Sequence, residues 1–221
     1  TDRYNIINSN ALICLRSSLG KEHYNMPKIV DHDQQREKFA EATIRIMARD
    51  GLDGVNMRAV AAEAGLSYGS LFHYFDSKDE LLMHAVRHSA ALQTRRVNEY
   101  SSRYSGLRAL RQLLVDDAVT SESSRDDWLV WLAFLYKASL KKSFAEMYAE
   151  MIDGWLARIK ALLDDAIEAG EVRPDLDTGF EAMAVWVYSA GIGQQGLLHP
   201  RRLPPKMQKR LISEYLDKLK S

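Results

Sequence analysis

The sequence predicts an all-α fold with about nine helices, arranged as a compact three-helix unit followed by a larger helical body. Apolar residues recur three and four positions apart through most of the chain, which is the spacing of a helix with one buried face. The alternating pattern of a half-buried strand competes only over residues 183 to 189. Glycine and proline residues divide the helical stretches, because they end helices and initiate turns.

The compact unit is expected over residues 31 to 76. Its three predicted helices cover 33 to 50, 56 to 63 and 67 to 75. Gly51 stops the first helix, and Gly65 separates the second from the third within the tight turn EAGLS. Two short helices joined in this way form a helix-turn-helix arrangement, whose second helix lies in the major groove of DNA.

The larger body is expected over residues 77 to 221 and begins with a long helix. Ser77 and Glu80 have the spacing of a capping box, which predicts where that helix starts. Further helices are predicted over about 106 to 120, from the stretch WLVWLAFLY onward, from 143 to about 170, from about 176 to 198 and from 206 to 219. The serine-rich stretch TSESSRDD, residues 120 to 127, is predicted to be a linker.

The composition is that of an ordinary globular protein, with 46% hydrophobic and 27% charged residues and a formal net charge of zero. Any affinity for phosphate must therefore come from where the charges lie. Cys14 is the only cysteine, which excludes an intramolecular disulfide and fits a cytoplasmic protein.

Residues 1 to 30 show no sustained period and are expected to form an irregular extension. Residues 182 to 199 carry no formal charge, but their glutamines and glycines favour a buried helix over a membrane span.

One short stretch, LSYGSLFHYFDSK at residues 66 to 78, holds more rings than a single buried stripe of a helix accommodates. Leu71 and Phe75 are four residues apart and are predicted to fill the core of the three-helix unit. The other face carries small or aromatic residues and no carboxylate: Tyr68, Ser70, His73 and Tyr74. A solvated helix usually carries Glu, Lys or Gln there, whereas hydroxyls, imidazole and ring edges suit base edges and phosphate oxygens. The sequence therefore predicts that this face contacts DNA.

The segment GLDGVNMRAVAAEAGLSYGSLFHYFDSKDELL resembles the N-terminal region of the tetracycline-repressor (TetR) family of bacterial regulators, and the likeness covers about residues 33 to 93. It follows the family pattern Ala-x-x-Ala-Gly-(Val/Leu)-Ser, then Tyr-Phe-x-Ser-Lys-x-x-Leu-Leu. The resemblance implies that Tyr74 and Lys78 contact phosphates and that Arg58 also meets DNA. Asn56 stands where the family usually has threonine and keeps the helix-capping role. The predicted DNA-binding residues are Asn56, Arg58, Ser67, Tyr68, Gly69, Ser70, His73, Tyr74 and Lys78.

The same resemblance implies a homodimer whose C-terminal body binds a small molecule. The sequence indicates dimerisation independently, because the helix predicted over 176 to 198 is apolar nearly all round and must bury both faces. Its glycines would let helices approach closely, and the last helix would complete a four-helix interface. The predicted interface residues are Val187, Gly191, Gly193, Gly196, Leu211, Tyr215 and Leu219.

The stretch EAGEVRPDLDTGFEAMAVWVYSAGIGQQGLL, residues 168 to 198, resembles the choline-responsive (betaine) repressors within that family. If the likeness holds, a cage of rings would bind a quaternary ammonium through cation–π attraction. Rings and thioethers at helical spacing are more often core than ligand site, so both interpretations stay open. The predicted ligand-binding residues are Trp128, Trp131, Phe134, Met151, Trp155 and Trp186.

Two alternative functions remain beside DNA binding. GIGQQG, residues 191 to 196, has the spacing of a nicotinamide-cofactor site, but the prolines that follow leave no room for a βαβ unit. The other alternative is a helical module that binds a small molecule without DNA. His84 and His88 lie one turn apart, with Glu80 one turn earlier, but no clear further ligand accompanies these three residues, so no metal site is predicted. The favoured function is a transcriptional regulator that binds double-stranded DNA as a homodimer, a repressor released from a palindromic operator by an unidentified small molecule. No enzymatic activity, cofactor or membrane association is expected.

Overall fold

A computed structural model describes residues 32 to 220 of the protein. This range contains nine helices joined by turns and loops. They are α1 (His32–Gly54), α2 (Met57–Glu63), α3 (Tyr68–Leu71), α4 (Lys78–Ser101), α5 (Gly106–Asp117), α6 (Glu122–Leu140), α7 (Lys142–Glu168), α8 (Thr178–Leu198) and α9 (Pro205–Asp217). No strand occurs in this range, and residues 183 to 189 lie within α8. The all-α prediction is therefore confirmed. The prediction for residues 1 to 30 lies outside the described residues.

Glycine and asparagine set the boundary between α1 and α2. Gly51 interrupts α1 with a φ of 71°, in the left-handed region that glycine tolerates, and one further turn follows before Gly54. Asn56 then caps α2, because its side-chain oxygen accepts a hydrogen bond of 2.9 Å from the amide of Ala59. Both features agree with the sequence-based expectation.

The third helix is shorter than predicted. Regular helix covers only Tyr68–Leu71, and residues 72 to 74 form turns instead of extending it toward residue 75. The amides of Tyr74 and Phe75 both donate to the carbonyl of Leu71, which tightens the chain after α3. This turn leads the Phe75 side chain into the core, where it is 1% exposed.

The serine-rich stretch at 120 to 127 is not a linker. Ser121 caps α6, since its hydroxyl accepts from the amide of Ser124, and the Ser124 hydroxyl accepts in return from the amide of Ser121. Ser124 occupies the third helical position, where the usual capping box has Glu or Gln. The sequence pattern therefore did not indicate the start of a helix and suggested a linker. Ser77 caps α4 as predicted, while the Glu80 carboxylate accepts from the amide of Asp76.

Two hydrophobic clusters hold the helices together. The first joins the core of α1 to α3 with buried residues of three later helices, among them Leu81 of α4, Phe134 of α6 and Phe144 of α7. The second joins α5, the C-terminal half of α7, α8 and α9. Packing is thus continuous across the boundary expected between residues 76 and 77, and the division of functions at that boundary stays a prediction.

Candidate nucleic-acid interface and ligand cavity

The start of α3 is held by its own serines. The Ser67 hydroxyl accepts a hydrogen bond of 3.0 Å from the amide of Ser70, and the Ser70 hydroxyl donates to the Ser67 carbonyl at 2.7 Å. Gly65, with a φ of 67°, forms the turn between α2 and α3. The helix is too short to be stable alone, so these caps and the buried Leu71 determine its orientation.

The outward face of α3 is aromatic and exposed. Tyr68 is 44% exposed and Phe72 is 47% exposed, and their rings meet edge to face with centroids 5.1 Å apart. The Arg58 guanidinium lies over the Tyr68 ring, 5.4 Å from its centroid. Gly69 and His73 are exposed on the same segment. Phe72 therefore belongs to this outward face as well.

Tyr74 and Lys78 are less free than the other predicted contacts. Tyr74 is half-buried, and its ring packs against Phe39 and His32 of α1 with centroids 5.8 and 5.6 Å away. The Lys78 ammonium donates to the carbonyl of Leu52 at 3.3 Å, just past the break in α1. Each side chain therefore also holds α1 beside the helix-turn-helix.

Two carboxylates near this face, those of Glu63 and Glu80, are paired with arginines. Glu63 forms ion pairs with Arg45 at 2.9 Å and with Arg49 at 3.2 Å, and the hydrogen bonds from those two arginines lower the pKa of Glu63. Glu80 pairs with Arg36 at 3.6 Å and also accepts a hydrogen bond from the amide of Asp76. No acidic residue lies between residues 66 and 75, so the exposed surface of α3 presents no carboxylate to a polyanion.

A cavity of about 460 Å³ lies between α4, α5, α6, α7 and α8. All four tryptophans of the chain line it: Trp128, Trp131, Trp155 and Trp186. Met151 lines it as well, so five of the six predicted ligand-binding residues meet at one site. Phe134 does not line the cavity, because it is 1% exposed and packs against Phe144 and Tyr148 in the first cluster.

Acidic residues of α5 form the part of the cavity that sequence reasoning missed. Asp116 and Asp117 line it from the last turn of that helix. Burial raises the pKa of Asp117 to about 6, against a hydrogen bond of 3.3 Å from the Gln93 amide that lowers it. The Trp128 indole donates to the backbone carbonyl of Asp117. No local signal in the sequence marks these aspartates, because a pair of acids near a helix end is normally solvated.

The predicted dimer residues divide into two groups. Val187 is 57% exposed, and Gly191 is exposed beside it. The close approach expected of Gly193 and Gly196 occurs within the chain instead, since the Trp128 ring fills the space beside Gly193 and the Gln208 side chain fills the space beside Gly196.

The three α9-region residues of that prediction also contact their own chain. Leu219 is 8% exposed in the second cluster, and Leu211 packs against the same cluster. The Tyr215 hydroxyl donates to Glu181 at 2.6 Å, and its ring stacks on Tyr188 with centroids 4.5 Å apart. Burial is the main cause that raises the pKa of Tyr215.

An exposed apolar stripe nevertheless runs along α8. Its members recur three, four or seven residues apart, the spacing of one helix face. They are Phe180, Met183, Val187, Gly191 and Leu198. The stripe lies opposite the buried side of α8, which packs in the second cluster.

Three other expectations concern absent sites. Within residues 32 to 220, no helix is both long enough and apolar enough to cross a membrane. The same range contains no group of three or more side chains placed to ligate a metal ion. The glycines of GIGQQG lie inside α8, so this segment does not form the strand, turn and helix of a dinucleotide site.

Comparison with known proteins matches both halves of the chain. A model for bacterial regulatory proteins of the tetR family matches residues 40–85, and one for the C-terminal region of BetI-type transcriptional repressors matches residues 106–220. The HTH-type transcriptional regulator PksA of Bacillus subtilis is 30% identical over 195 residues, which are 88% of this chain and 94% of PksA. The HTH-type transcriptional regulator BetI of Burkholderia ambifaria is 34% identical over 123 residues, 53% of this chain and 63% of that relative.

Solved structures share the fold at low sequence identity. A TetR-family transcriptional regulator from Rhodococcus sp. has a TM-score of 0.76 at 19% identity, over 86% of this chain and 100% of its own. A transcriptional regulator from Saccharomonospora viridis in complex with choline has a TM-score of 0.76 at 24% identity, over 84% of this chain and 96% of its own. The chain therefore belongs to the TetR family of bacterial transcriptional regulators, with a BetI-type C-terminal region, and the role of that family is ligand-responsive DNA binding, not enzymatic catalysis.

Proposed function

We propose that this protein is a dimeric repressor that places α3 of each subunit in the major groove of a palindromic operator and leaves it when a small molecule fills the cavity. The observation that carries the proposal is the exposed, carboxylate-free face of α3, with Tyr68 and Phe72 outside and Leu71 and Phe75 inside. Exposed rings cost free energy in water unless a partner covers them. We place the protein in the cytoplasm, where a bacterial operator is found.

The side chains of this face suit different parts of a duplex. Tyr68, Ser70 and His73 have hydrogen-bonding tips for base edges, and Gly69 lets the backbone approach closely. Tyr74 and Lys78 suit phosphate oxygens, and the Arg58 guanidinium, which lies over the Tyr68 ring, also suits DNA. Asn56 and Ser67 contribute by fixing the starts of α2 and α3.

Dimerisation rests on the apolar stripe of α8. One face of this helix is already buried in its own subunit, so the stripe centred on Val187 is available to a second copy. A two-fold axis through such a self-complementary patch is the commonest way for identical subunits to pair. Two α3 helices related by that axis would read half-sites about one helical turn, or a multiple of it, apart.

A physical route for release runs along α6. Trp128 and Trp131 of α6 line the cavity, while Lys137 in the last turn of α6 and Lys141 just after it form ion pairs with Asp79 in the first turn of α4. Lys78 is the first residue of that turn. A ligand that prefers one placement of α6 shifts the dimer toward it, and about 1.4 kcal/mol of preference changes DNA affinity tenfold.

The first test measures which duplexes the protein binds. We expect a near-palindromic sequence to be enriched when bound fragments are selected from random duplexes. On that operator, Tyr74→Ala and Lys78→Ala should each weaken binding about tenfold or more, and Lys78→Ala should lower the slope of log affinity against log salt by about 1. Circular dichroism checks folding, because Lys78 also donates to the Leu52 carbonyl.

Lys142→Ala is the matched control for that experiment. Its side chain is 91% exposed at the start of α7 and should leave operator affinity unchanged. If both Tyr74→Ala and Lys78→Ala bind like the parent, the assigned contacts are wrong. If the parent enriches no sequence and binds no duplex at low ionic strength, the protein is instead a ligand-binding module.

The second test addresses the dimer. Val187→Glu places two like charges across the proposed two-fold contact, and we expect sedimentation at micromolar concentration to show a shift from dimer to monomer. Leu140→Glu is a control of equal chemistry, because Leu140 is 65% exposed at the end of α6, away from the stripe. A Val187→Glu variant that remains dimeric would move the interface elsewhere.

A further inference from the structure

The cavity concentrates negative charge at one helix end. Asp116 and Asp117 occupy the last turn of α5, which contains no basic residue. The carbonyl groups at a helix C-terminus already carry partial negative charge, so carboxylates there are unfavourable and cations are favourable. Four carboxylates and two guanidinium groups line the cavity in total: Asp116, Asp117, Asp127 and Glu150, against Arg87 and Arg158.

The two α5 carboxylates have only neutral hydrogen-bond partners. Asp117 accepts from the Gln93 amide at 3.3 Å, and Asp116 accepts through Oδ1 from Gln112 at 3.0 Å. Asp116 Oδ2 is buried and makes no hydrogen bond of normal length, although the Tyr100 hydroxyl lies close enough for the Asp116 charge to be the main cause that raises the pKa of Tyr100. Among residues 32 to 220, the side chains that shift the pKa of Asp117 are the Gln93 amide and the Asp127 carboxylate, and neither is a cation.

The remaining charges of the cavity are engaged or exposed. Asp127 pairs with Arg96 at 3.2 Å, and Arg158 donates to the Asn98 side chain at 3.0 Å. Arg87 and Glu150 are exposed. The unneutralised charge inside the site is therefore that of the α5 aspartates, which is the opposite of the carboxylate-free face of α3.

The rest of the cavity wall suits an apolar, cationic body. Four tryptophans line it, and tryptophan is the ring that attracts a cation most strongly. A volume of about 460 Å³ is in the range of cavities that hold drug-sized ligands. A cation as small as choline would leave most of this space empty.

We propose that the cavity binds an organic amine in its protonated form, whose N–H groups donate to Asp116 and Asp117 while its apolar body packs against the tryptophans. This inference rests on the proposed function only in taking the cavity as the effector site. Asp116 Oδ2 makes no hydrogen bond of normal length and can accept one from a protonated amine, whereas a quaternary ammonium has no N–H group to donate. Burial raises the pKa of Asp117 to about 6, so the carboxyl is still mostly ionised at pH 7.5, and a bound cation would favour its charge further.

The test uses three probes of matched shape: diphenylpropylamine, its trimethylammonium derivative and diphenylpropionate. Tryptophan fluorescence reports occupancy directly, because every tryptophan of the protein lines the cavity. We expect the amine to bind the parent at least tenfold more tightly than the carboxylate, and more tightly than the trimethylammonium compound. Equal affinity for the three probes, or no binding by any of them, overturns the proposal, and neither result depends on a variant.

Variants then identify which carboxylate of the cavity recognises the amine. Asp117→Asn and Asp116→Asn keep the shape of each side chain, and we expect at least one of them to weaken amine binding tenfold or more while leaving the carboxylate probe unaffected. Asp175→Asn is the control, since its side chain is 81% exposed outside the cavity. If both cavity variants keep the full preference for the amine, the aspartates do not read it and the proposal is wrong.

Duplex binding separates this inference from the proposed function. A parent protein that binds its selected operator but shows no preference among the three probes loses only the amine proposal. A parent protein that prefers the amine through Asp116 or Asp117 but binds no duplex loses only the regulator proposal. Both readouts come from the same protein preparation.

Discussion

The outward face of α3 and the cavity both gather aromatic side chains, but they differ in the sign of the charge beside them. Around α3, no acid lies between residues 66 and 75, and Glu63 is neutralised by two arginines. Inside the cavity, Asp116 and Asp117 have no cationic partner. Aromatic rings alone can contact many kinds of partner. The charge of the side chains beside them selects whether an anionic or a cationic partner binds.

The two regions also differ in how they are supported. The α3 face is convex and is held by caps that belong to residues only a few positions away, such as Ser67 and Asn56. The cavity is concave and exists only because five helices meet around it. A large, preformed polyanion suits the first, and a small molecule that is enclosed on binding suits the second.

The largest expected effect comes from placing a negative charge on the exposed face of α3. Gly69 is exposed, its φ is not positive, and a Cβ built on it meets nothing within 4 Å, so Gly69→Glu fits the free protein. We expect operator affinity to fall by roughly 100-fold or more, since a carboxylate would face phosphates in the groove. Stability should be equal or higher, because Glu favours a helix over Gly by up to about 1 kcal/mol.

Gly69→Gln separates charge from size in that experiment. It adds a side chain of the same length without the charge, so its loss of affinity measured by fluorescence anisotropy should be clearly smaller. Equal losses for the two variants would mean that steric exclusion, not charge, governs the α3 face. Unchanged affinity for Gly69→Glu would remove α3 from the interface.

A second prediction concerns how far the buried, ionised carboxylate of Asp117 lowers the free energy of unfolding. Its pKa is about 6 in the folded protein and about 3.9 in an unfolded chain, so the folded state binds the proton more tightly. The stabilising effect of that proton is complete below about pH 3.9 and is lost as the pH rises through 6. At pH 7.5, Asp117→Asn should raise the free energy of unfolding by about 1–3 kcal/mol.

The sign of the pH dependence is the sharper part of this prediction. In urea unfolding at fixed protein concentration, the advantage of Asp117→Asn over the parent should shrink between pH 7.5 and 4.5. Asp175→Asn should change stability by less than about 0.5 kcal/mol at either pH. An Asp117→Asn variant that is less stable than the parent at pH 7.5 would show that the carboxylate is well satisfied in the empty cavity.

The smallest expected effect lies between the two regions. Asp79 joins the start of α4 to Lys137 and Lys141, and the hydrogen bond from Lys141 is the main cause that lowers its pKa. Asp79→Asn should cost less than about 1 kcal/mol of stability at pH 7, because the group is partly solvated. The cost should vanish as the pH falls through the lowered pKa, below its ordinary value.

The same variant should change operator affinity severalfold without touching either surface. If α6 is coupled to the DNA-contacting segment through this ion pair, anisotropy titrations should show the change on every duplex alike. Glu146→Gln, which breaks an exposed pair with Lys142 on α7, is the control and should leave affinity unchanged. No difference between the two variants would place the coupling on another contact.

Local patterns accounted for much of the region around α3. The cap at Asn56, the break at Gly51 and the inward pair Leu71 and Phe75 depend on contacts within one or two turns, and spacing reveals such contacts. The same reasoning failed at Ser121, where serines that resemble a linker instead cap α6. It also extended α3 past Leu71, because spacing does not show where i to i+3 hydrogen bonds replace helical ones.

The ligand site shows the limit of such patterns. Five ring and thioether residues were predicted to line it and do, but Phe134 has the same helical spacing and belongs to the core. Likewise, Gly193 and Gly196 were expected at a subunit contact, and the structure shows Trp128 and Gln208 of the same chain beside them. Spacing identifies the buried side of a helix, but it does not say which neighbour covers that side.

By itself, the order of residues determined the all-α class, the helix-turn-helix and its carboxylate-free face, because capping, turns and helix periodicity act between residues a few positions apart. Only the tertiary structure decided that Asp117, Trp155 and Trp186 share one cavity and that α8 leaves an apolar stripe uncovered. Those features arise from the packing of helices that are distant in the chain, and burial and charge at such contacts depend on every neighbour at once.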